Sequence, residues 1–337
     1  MNKKLLLTGV SGSIGVHVLA HVLHNTDWDV VGLASFRNRG WTDRINEVKK
    51  DHPNWDARYT IYTHDLSAPI SPILKEKIGH IDYIINLASL SDVEDGIKNP
   101  VPFIENNTAL ILNMLEYARE VKPESFIQFS TDEVYGPNEK GHNFEEWSTI
   151  IPSNPYAASK ACQEAIAISY WRTYDVPLII TNTVNNFGEM QSPKKFPVII
   201  QKKLAKGEAV VIHGNEGESG TRFYIHSRNV ADALLFILKN LPPYHHKNDA
   251  VDRPDRYNIT SDDELSNLDL AQLIAKSMGK ELRYEFLDFD VTRPGHDRSY
   301  SLSGEKLKKL GWKMPVSLEK SMADVVEWQT ENNEWIH

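Results

Sequence analysis

The sequence predicts an α/β fold: a doubly wound parallel sheet covered by helices on both faces, followed by a smaller mixed α/β unit. Three observations predict it. Short β-type runs alternate with helix-period segments through the first half of the chain. Most of those runs are near-continuous in apolar residues, as strands are when both faces of a sheet are buried. The 337 residues are also too many for one small core and fit one large α/β domain or two modest ones.

Strands are predicted at Lys4 to Thr8, Val30 to Leu33, Tyr59 to Tyr62, Tyr83 to Leu87, Phe126 to Ser130 and Leu178 to Thr183. Helices are predicted at Ile14 to Leu23, Phe103 to Arg119 and Ala157 to Tyr174. Proline marks the edges: Pro100 and Pro102 open one helix, Pro123 follows its end, and Pro155 precedes another. After Thr183 the rhythm changes to a Gly-, Pro- and Lys-rich passage, Gly188 to Gly220, with one helix at Val198 to Ala205. A second unit begins there, while the apolar helix Asn229 to Leu241 returns to the first. The first domain is therefore expected over 1–184 plus about 223–243, and the second over 185–222 plus 244–337. Helices of the second are expected at Leu268 to Met278, Glu305 to Leu310 and Leu318 to Gln329. There is no internal repeat or low-complexity tract.

Composition narrows the partners. With 41% hydrophobic and 25% charged residues the chain reads as globular. Lys+Arg 37 against Asp+Glu 46 leaves −9, which argues against sequence-blind binding of nucleic acid or an anionic membrane. Any phosphate must be gripped locally. One cysteine, Cys162, excludes an internal disulfide, a cysteine-rich zinc site and an iron–sulfur cluster, and no metal site is expected. A reducing, cytoplasmic location is expected. The Leu5-Leu6-Leu7 run stops at Thr8-Gly9, too soon for a signal peptide, and no apolar stretch approaches the roughly 20 residues that span a bilayer.

The clearest local motif is Gly9-Val10-Ser11-Gly12-Ser13-Ile14-Gly15, placed after a strand and opening a helix. Its glycines permit a tight turn and let backbone N–H groups approach a pyrophosphate, whose charge a helix N-terminus favours. A nicotinamide dinucleotide is the expected ligand. Discrimination between the two such cofactors belongs at the end of the second strand, where an acid would bond the ribose 2′-OH. Leu33-Ala34-Ser35-Phe36-Arg37-Asn38-Arg39 has no acid there and offers a hydroxyl and two guanidiniums, a better match to a 2′-phosphate. The expectation is NADP ahead of NAD; the alternative is that Arg37 and Arg39 are solvated loop charges. Asp65 and Leu66 beyond the third strand are placed near the adenine, and Leu87 and Ala88 at the end of the fourth, with Tyr156 and Lys160, complete the cofactor set.

Tyr156-Ala157-Ala158-Ser159-Lys160 sets a phenol and an ammonium four residues apart on one helix face. The ammonium and an oxidised nicotinamide both favour the phenolate, so Tyr156 can take a proton from a substrate hydroxyl as hydride leaves. Upstream, Ser130-Thr131-Asp132-Glu133-Val134-Tyr135-Gly136 sits at the C-terminal end of a strand, where open α/β sheets place their ligands. Proximity and burial can raise one of two adjacent carboxyls toward the working pH, which suits general acid/base roles. The alternative is an acidic turn that caps the next segment.

Together with Thr183-Val184-Asn185-Asn186-Phe187-Gly188 and Arg293-Pro294-Gly295-His296-Asp297-Arg298, these motifs resemble the extended short-chain dehydrogenase/reductases. More narrowly, they are similar to the nucleotide-sugar 4,6-dehydratases, with the dTDP-glucose type the nearest pattern. The likeness runs through nearly the whole chain in consistent order, and its specific part is Thr131-Asp132-Glu133, because related 4-epimerases and decarboxylases usually lack that triplet.

The resemblance implies a Rossmann-type first domain and a nucleotide-sugar-binding second domain. It implies that Tyr156, supported by Lys160 and Thr131, removes the C4 hydroxyl proton while C4 hydride passes to the cofactor. Glu133 then takes the C5 proton, Asp132 protonates the departing C6 hydroxyl, and hydride returns to C6. The cycle is redox-neutral, so the cofactor is expected to stay tightly bound. By the same resemblance, Ser91, Asn185, Asn186, Lys195, Arg222, Arg293 and His296 contact the nucleoside-diphosphate sugar. The sequence departs from the dTDP-glucose pattern at Ser89-Leu90-Ser91-Asp92-Val93, where only Ser91 matches, and is similar to GDP-mannose 4,6-dehydratases in lacking the second-strand acid. The base, dTDP, UDP or GDP, and the hexose stay open.

Apolar residues wrap more than one face of the Ala157 to Tyr174 helix, which with Phe103 to Arg119 implies a homodimer through a four-helix contact. Two other functions stay open: a nucleotide-sugar 4-epimerase or decarboxylase using Tyr156 and the cofactor alone, and a non-catalytic dinucleotide-binding sensor.

Overall fold

The computed structural model describes residues 2–37, 41–50, 52–138, 142–215, 218–287 and 299–336. Strands β1 (Lys4–Thr8), β2 (Asp29–Ala34), β3 (Tyr59–Thr63), β4 (Tyr83–Asn86), β5 (Ser125–Thr131) and β6 (Leu178–Thr183) lie where their apolar runs put them. The chain leaves this sheet through β7 (Asn185–Phe187), β8 (Val210–Asn215), β9 (Glu218–Ser219) and β10 (Thr221–His226). It then returns as a seventh strand, β11 (Asp255–Ile259), parallel to β6. The sheet order is β11-β6-β5-β4-β1-β2-β3, with every pairing parallel. The order reverses at β1, so the crevice between the C-terminal ends of β1 and β4 is the switch point that receives ligands in such sheets.

The strand period of two assigns the faces. Leu5 and Leu7 point to the side covered by α1 (Ser13–Asn25), where they share a core with Val18, Leu19 and Val22. Leu6 points to the other, with Ile84, Phe126 and Ile180. After α2 (Trp41–Lys49), α3 (Pro72–Ile78) and α4 (Val93–Lys98), the long helices α5 (Pro100–Val121) and α6 (Pro155–Tyr174) bury Leu110, Met114 and Trp171 against that second face. Beyond α7 (Phe196–Ala205), α8 (Ser227–Asn240) returns to pack beside α1 through Val230, Leu234 and Leu238.

β11 lies within the residues that the sequence groups with 244–337. Asp255, Arg256, Tyr257 and Asn258 do not read as an apolar run, yet all are buried. The guanidinium of Arg256, with no exposed surface, pairs with Glu164 of α6 at 2.7 Å and lies 4.4 Å from the centroid of the Trp147 ring. Specific partners thus hold most of the polar strand, while Arg256 Nε and Asn258 Oδ1 are buried with no hydrogen-bond partner among the described residues.

In the second unit β10 pairs with β7, with β12 (Glu264–Ser266) and, after α9 (Asn267–Ser277) and β13 (Tyr284–Leu287), with β14 (Ser299–Tyr300). Its own core gathers Ile200, Leu204, Ile212 and Ile274 with Met322 and Val325; the last two belong to α11 (Leu318–Glu331), which follows the short α10 (Glu305–Lys309).

The two units are tied at residues 188–191. Arg44, buried on α2, donates from Nε to the Met190 carbonyl at 2.9 Å and from Nη1 to the Ser11 carbonyl at 3.4 Å. Gln329 of α11 donates to the Glu189 carbonyl at 2.7 Å. The Glu189 carboxylate lies 3.1 Å from His226 Nε2 and 3.3 Å from His17 Nε2, and burial pushes His17 down to about 4. Trp328 and Trp335 pack against Val16, Ile45 and Met190. Among the described residues no helix is long and apolar enough to cross a membrane.

Candidate active site

The C-terminal ends of β1, β4, β5 and β6 open into a cleft of about 400 Å³. One end is lined by Gly9, Ser11, Gly12, Ser13, Ile14 and Gly15 together with Ser35, Arg37, Asp65, Leu66, Leu87 and Ala88. Thr131, Asp132, Glu133, Tyr156 and Lys160 form the middle, and Ser91, Asn185, Asn186 and Lys195 the far end. Arg222 is not part of the lining: its guanidinium lies 4.6 Å from the centroid of the Tyr300 ring, and its charge is felt at Asp132. Arg39, Arg293 and His296 lie outside the described residues.

The glycine end fits a dinucleotide. Gly9 has φ +66, and a Cβ on it would meet the Ala88 amide nitrogen at 3.0 Å. A Cβ on Gly15 would stand 2.1 Å from the Gly9 carbonyl oxygen, so the helix can start this close to the strand only with glycine. α1 begins at Gly12 with no side-chain cap and no acid in its first turn, which leaves its N–H groups for an anion. At the mouth, Arg37 donates to Asp65 Oδ1 at 3.2 Å, to Asn106 Oδ1 at 3.0 Å and to Ser35 Oγ at 3.4 Å. Among the described residues no cluster of three or more His, Cys, Asp or Glu could hold a metal ion.

The acid pair follows from how β5 ends. Thr131 caps the one-turn helix 132–135, its hydroxyl accepting from the Glu133 amide at 3.4 Å and donating to Asp132 Oδ1 at 3.0 Å. This turns Asp132 inward. Its Oδ2 is buried with no hydrogen-bond partner among the described residues. Burial, and then the charge of Glu133, push the Asp132 carboxyl up to about 7. Glu133 lines the cleft, and its Oε2 accepts from Asn154 Nδ2 at 3.2 Å and from the Tyr300 hydroxyl at 3.4 Å.

Burial, with the charges of Glu133 and Asp132, holds the Tyr156 phenol well above its ordinary range, so it waits as the neutral acid. Lys160 donates to the Phe129 carbonyl and to Gln163 Oε1, both at 2.7 Å, and burial lowers it to about 8. Gln163 is the end of a buried chain: Thr8 donates to Asn86 at 2.7 Å, Asn86 to Gln128 at 2.8 Å, and Gln128 to Gln163 at 3.2 Å. Four elements, from the strand before the glycine turn to the helix of the Tyr–Lys pair, are thereby held in one register.

At the far end Lys195 stands at the N-cap of α7, which carries no side-chain cap and no acid in its first turn. Asn186 donates to the Val184 carbonyl at 2.9 Å, and its Oδ1 is buried with no partner among the described residues. Gln191, Phe196 and Tyr224 also line the cleft, and Asn154 and Tyr300 reach it through Glu133; none of the five belongs to the motifs that mark the site in the sequence. Asn154 carries a signal, since Asn before Pro155 is a preferred N-cap. Tyr300 carries none, because its place depends on the parallel pairing of β14 with β10.

The family model described as GDP-mannose 4,6 dehydratase matches residues 6–325. The low-salt glycan biosynthesis protein Agl12 of Haloferax volcanii is 32% identical over 332 residues, 98% of this chain and 99% of that protein. The dTDP-glucose 4,6-dehydratase of Streptomyces venezuelae, solved with NAD bound, is 28% identical with a TM-score of 0.82, covering 98% of each chain. The UDP-glucuronic acid 4-epimerase of Bacillus cereus, 22% identical with a TM-score of 0.83 over 98% of this chain and 99% of that one, shares the fold.

Proposed function

The chain belongs to the GDP-mannose 4,6 dehydratase family, and from this we propose that it converts a nucleoside-diphosphate hexose to the 4-keto-6-deoxy sugar by internal redox and loss of water. A nicotinamide dinucleotide bound along Gly9 to Gly15 supplies the hydride acceptor and donor. Tyr156 takes the C4 hydroxyl proton as the phenolate, the form that the positive charges of an oxidised nicotinamide and of Lys160 would favour over the neutral phenol, with Thr131 beside its oxygen. The C4 ketone acidifies C5, Glu133 removes the C5 proton, and Asp132 gives its proton to the leaving C6 hydroxyl. Glu133 finally returns a proton to C5. One observation carries this reading: Asp132 is buried beside a cleft-facing Glu133, where burial and that neighbouring charge push its carboxyl up to about 7. A 4-epimerase or a sensor has no use for that pair.

Asn185, Asn186, Lys195 and the uncapped start of α7 suit the diphosphate, with Arg222 behind them and Ser91 toward the sugar. The dinucleotide falls to residues 1–184 plus about 223–243, and the sugar nucleotide mainly to 185–222 and 244–337. Incubation with dTDP-, UDP- and GDP-hexoses in deuterated water, followed by NMR, tests the reading. Deuterium at C5 with loss of the C6 oxygen is expected from one of them, whereas C4 inversion without water loss would make the chain an epimerase.

Ser35 and Arg37 further favour NADP. Arg37→Ala should weaken NADP binding about tenfold, as loss of a charged hydrogen bond does, and leave NAD within about twofold. A wild-type chain that binds NAD more tightly by titration contradicts this. Val101, Ile104 and Leu112 of α5 are exposed beside the small residues Ala158, Ala161 and Ala165 of α6, which supports a homodimer through four helices. Sedimentation at micromolar concentration should return twice the chain mass; a monomer excludes it.

A further inference from the structure

We propose that Asn154 and Tyr300 are positioning residues that hold the carboxylate of Glu133 for removal of the C5 proton, an inference that rests on the dehydratase reading above. Two donors from distant parts of the chain converge on one oxygen, Glu133 Oε2: Asn154 Nδ2 at 3.2 Å and the Tyr300 hydroxyl at 3.4 Å. Both donor residues are buried.

Asn154 has two ends and two tasks. Its Oδ1 accepts from the Ala157 amide at 2.9 Å and so caps α6, the helix that carries Tyr156 and Lys160. Its amide nitrogen reaches Glu133. One side chain therefore fixes the Tyr–Lys pair and the carboxylate to each other. The proton taken at the C4 hydroxyl and the proton taken at C5 leave neighbouring carbons of one sugar ring, so the spacing of these groups must match that ring.

Tyr300 arrives from the second unit. Its strand pairs with β10 so that Tyr300 stands opposite Arg222, whose guanidinium lies on its ring 4.6 Å from the centroid. The cation fixes the ring and leaves the hydroxyl to point at Glu133. A free glutamate side chain samples many rotamers, and misplacement by about 1 Å can cost a reaction step about 10²-fold. Glu133 is thus held from both units, by Asn154 of the first and Tyr300 of the second.

The test uses Tyr300→Phe, which keeps the ring on Arg222, and Asn154→Ser, which keeps the helix cap. The substrate is whichever NDP-hexose wild type converts in the panel. Each variant should slow deuterium entry at C5 about tenfold or more, leave the first reduction of the nicotinamide within about twofold, and let reduced nicotinamide absorbance accumulate. Unchanged C5 exchange, or equal loss of exchange and first reduction, overturns the proposal. If Tyr300→Phe does not fold, Asn154→Ser decides alone. If wild type converts no NDP-hexose, the dehydratase reading fails by itself. The contacts are then read without turnover from the Glu133 Cδ resonance of ¹³C-labelled protein, assigned by its absence in Glu133→Gln. A resonance that moves in both variants supports the contacts, and one that stays in both refutes them.

Discussion

Asp132→Asn is expected to lower turnover by about 10²- to 10⁴-fold, the range for loss of a general acid, and to make the folded chain more stable above pH 7. The two effects have one source. The carboxyl titrates near 3.8 without its surroundings and is pushed up to about 7 by burial and by the charge of Glu133. Between those values the folded form binds a proton that the unfolded form has lost, so the stability present below 3.8 declines as pH rises and is lost once pH passes about 7. A displacement of about 3 pH units corresponds to on the order of 4 kcal/mol. An amide copies the protonated acid and removes that penalty. Thermal midpoints of wild type and variant should therefore diverge from pH 5 to pH 8 with the variant higher, while wild-type kcat falls as pH passes about 7. A variant that is both inactive and less stable at pH 8 would mean that the fold favours the Asp132 carboxylate and does not raise its pKa.

Arg256→Ala should cost about 3–5 kcal/mol of folding stability, because it leaves the fully buried Glu164 without its cation. Burial works against the guanidinium, but the carboxylate 2.7 Å away and the Tyr135 hydroxyl more than offset it and raise its pKa. Glu164 also accepts from Asn182 at 2.9 Å, so it ties α6, β6 and β11 together. Replacing both partners, Arg256→Met with Glu164→Leu, should recover most of the loss, since two apolar groups strand no charge. Urea unfolding at pH 7 with an unchanged slope measures this. Costs that simply add in the double variant would show that the pair is not coupled.

What was legible in the sequence follows from the range of the interactions. Strands such as Leu5-Leu6-Leu7 and Leu178-Ile179-Ile180 declare themselves because both faces meet apolar neighbours. β11 does not, since the partners of Asp255-Arg256-Tyr257-Asn258 include Glu164, 92 residues from Arg256, and Glu146, 112 residues from Asn258. The glycine turn, the acid pair and Tyr156 with Lys160 are contiguous motifs, so their meeting in one cleft could be anticipated. The protonation of Asp132 near neutrality could only be anticipated in kind, because its extent depends on an unpartnered oxygen inside the fold. Tyr300 and Arg222 show the limit. Arg222 reads as a loose cation for phosphate, whereas its position over Tyr300 needs the strand register that brings residue 300 opposite residue 222.

The strap at residues 188–191 bears on how the chain can be trimmed. Trp328, Gln329 and Trp335 come from the last twentieth of the sequence, yet they sit beneath Val16 and Met190, and Arg44 passes the connection to the Ser11 carbonyl. A chain cut ahead of Leu318 would bare the underside of the glycine turn Gly9 to Gly15. Any shortened form is best judged by its grip on a dinucleotide.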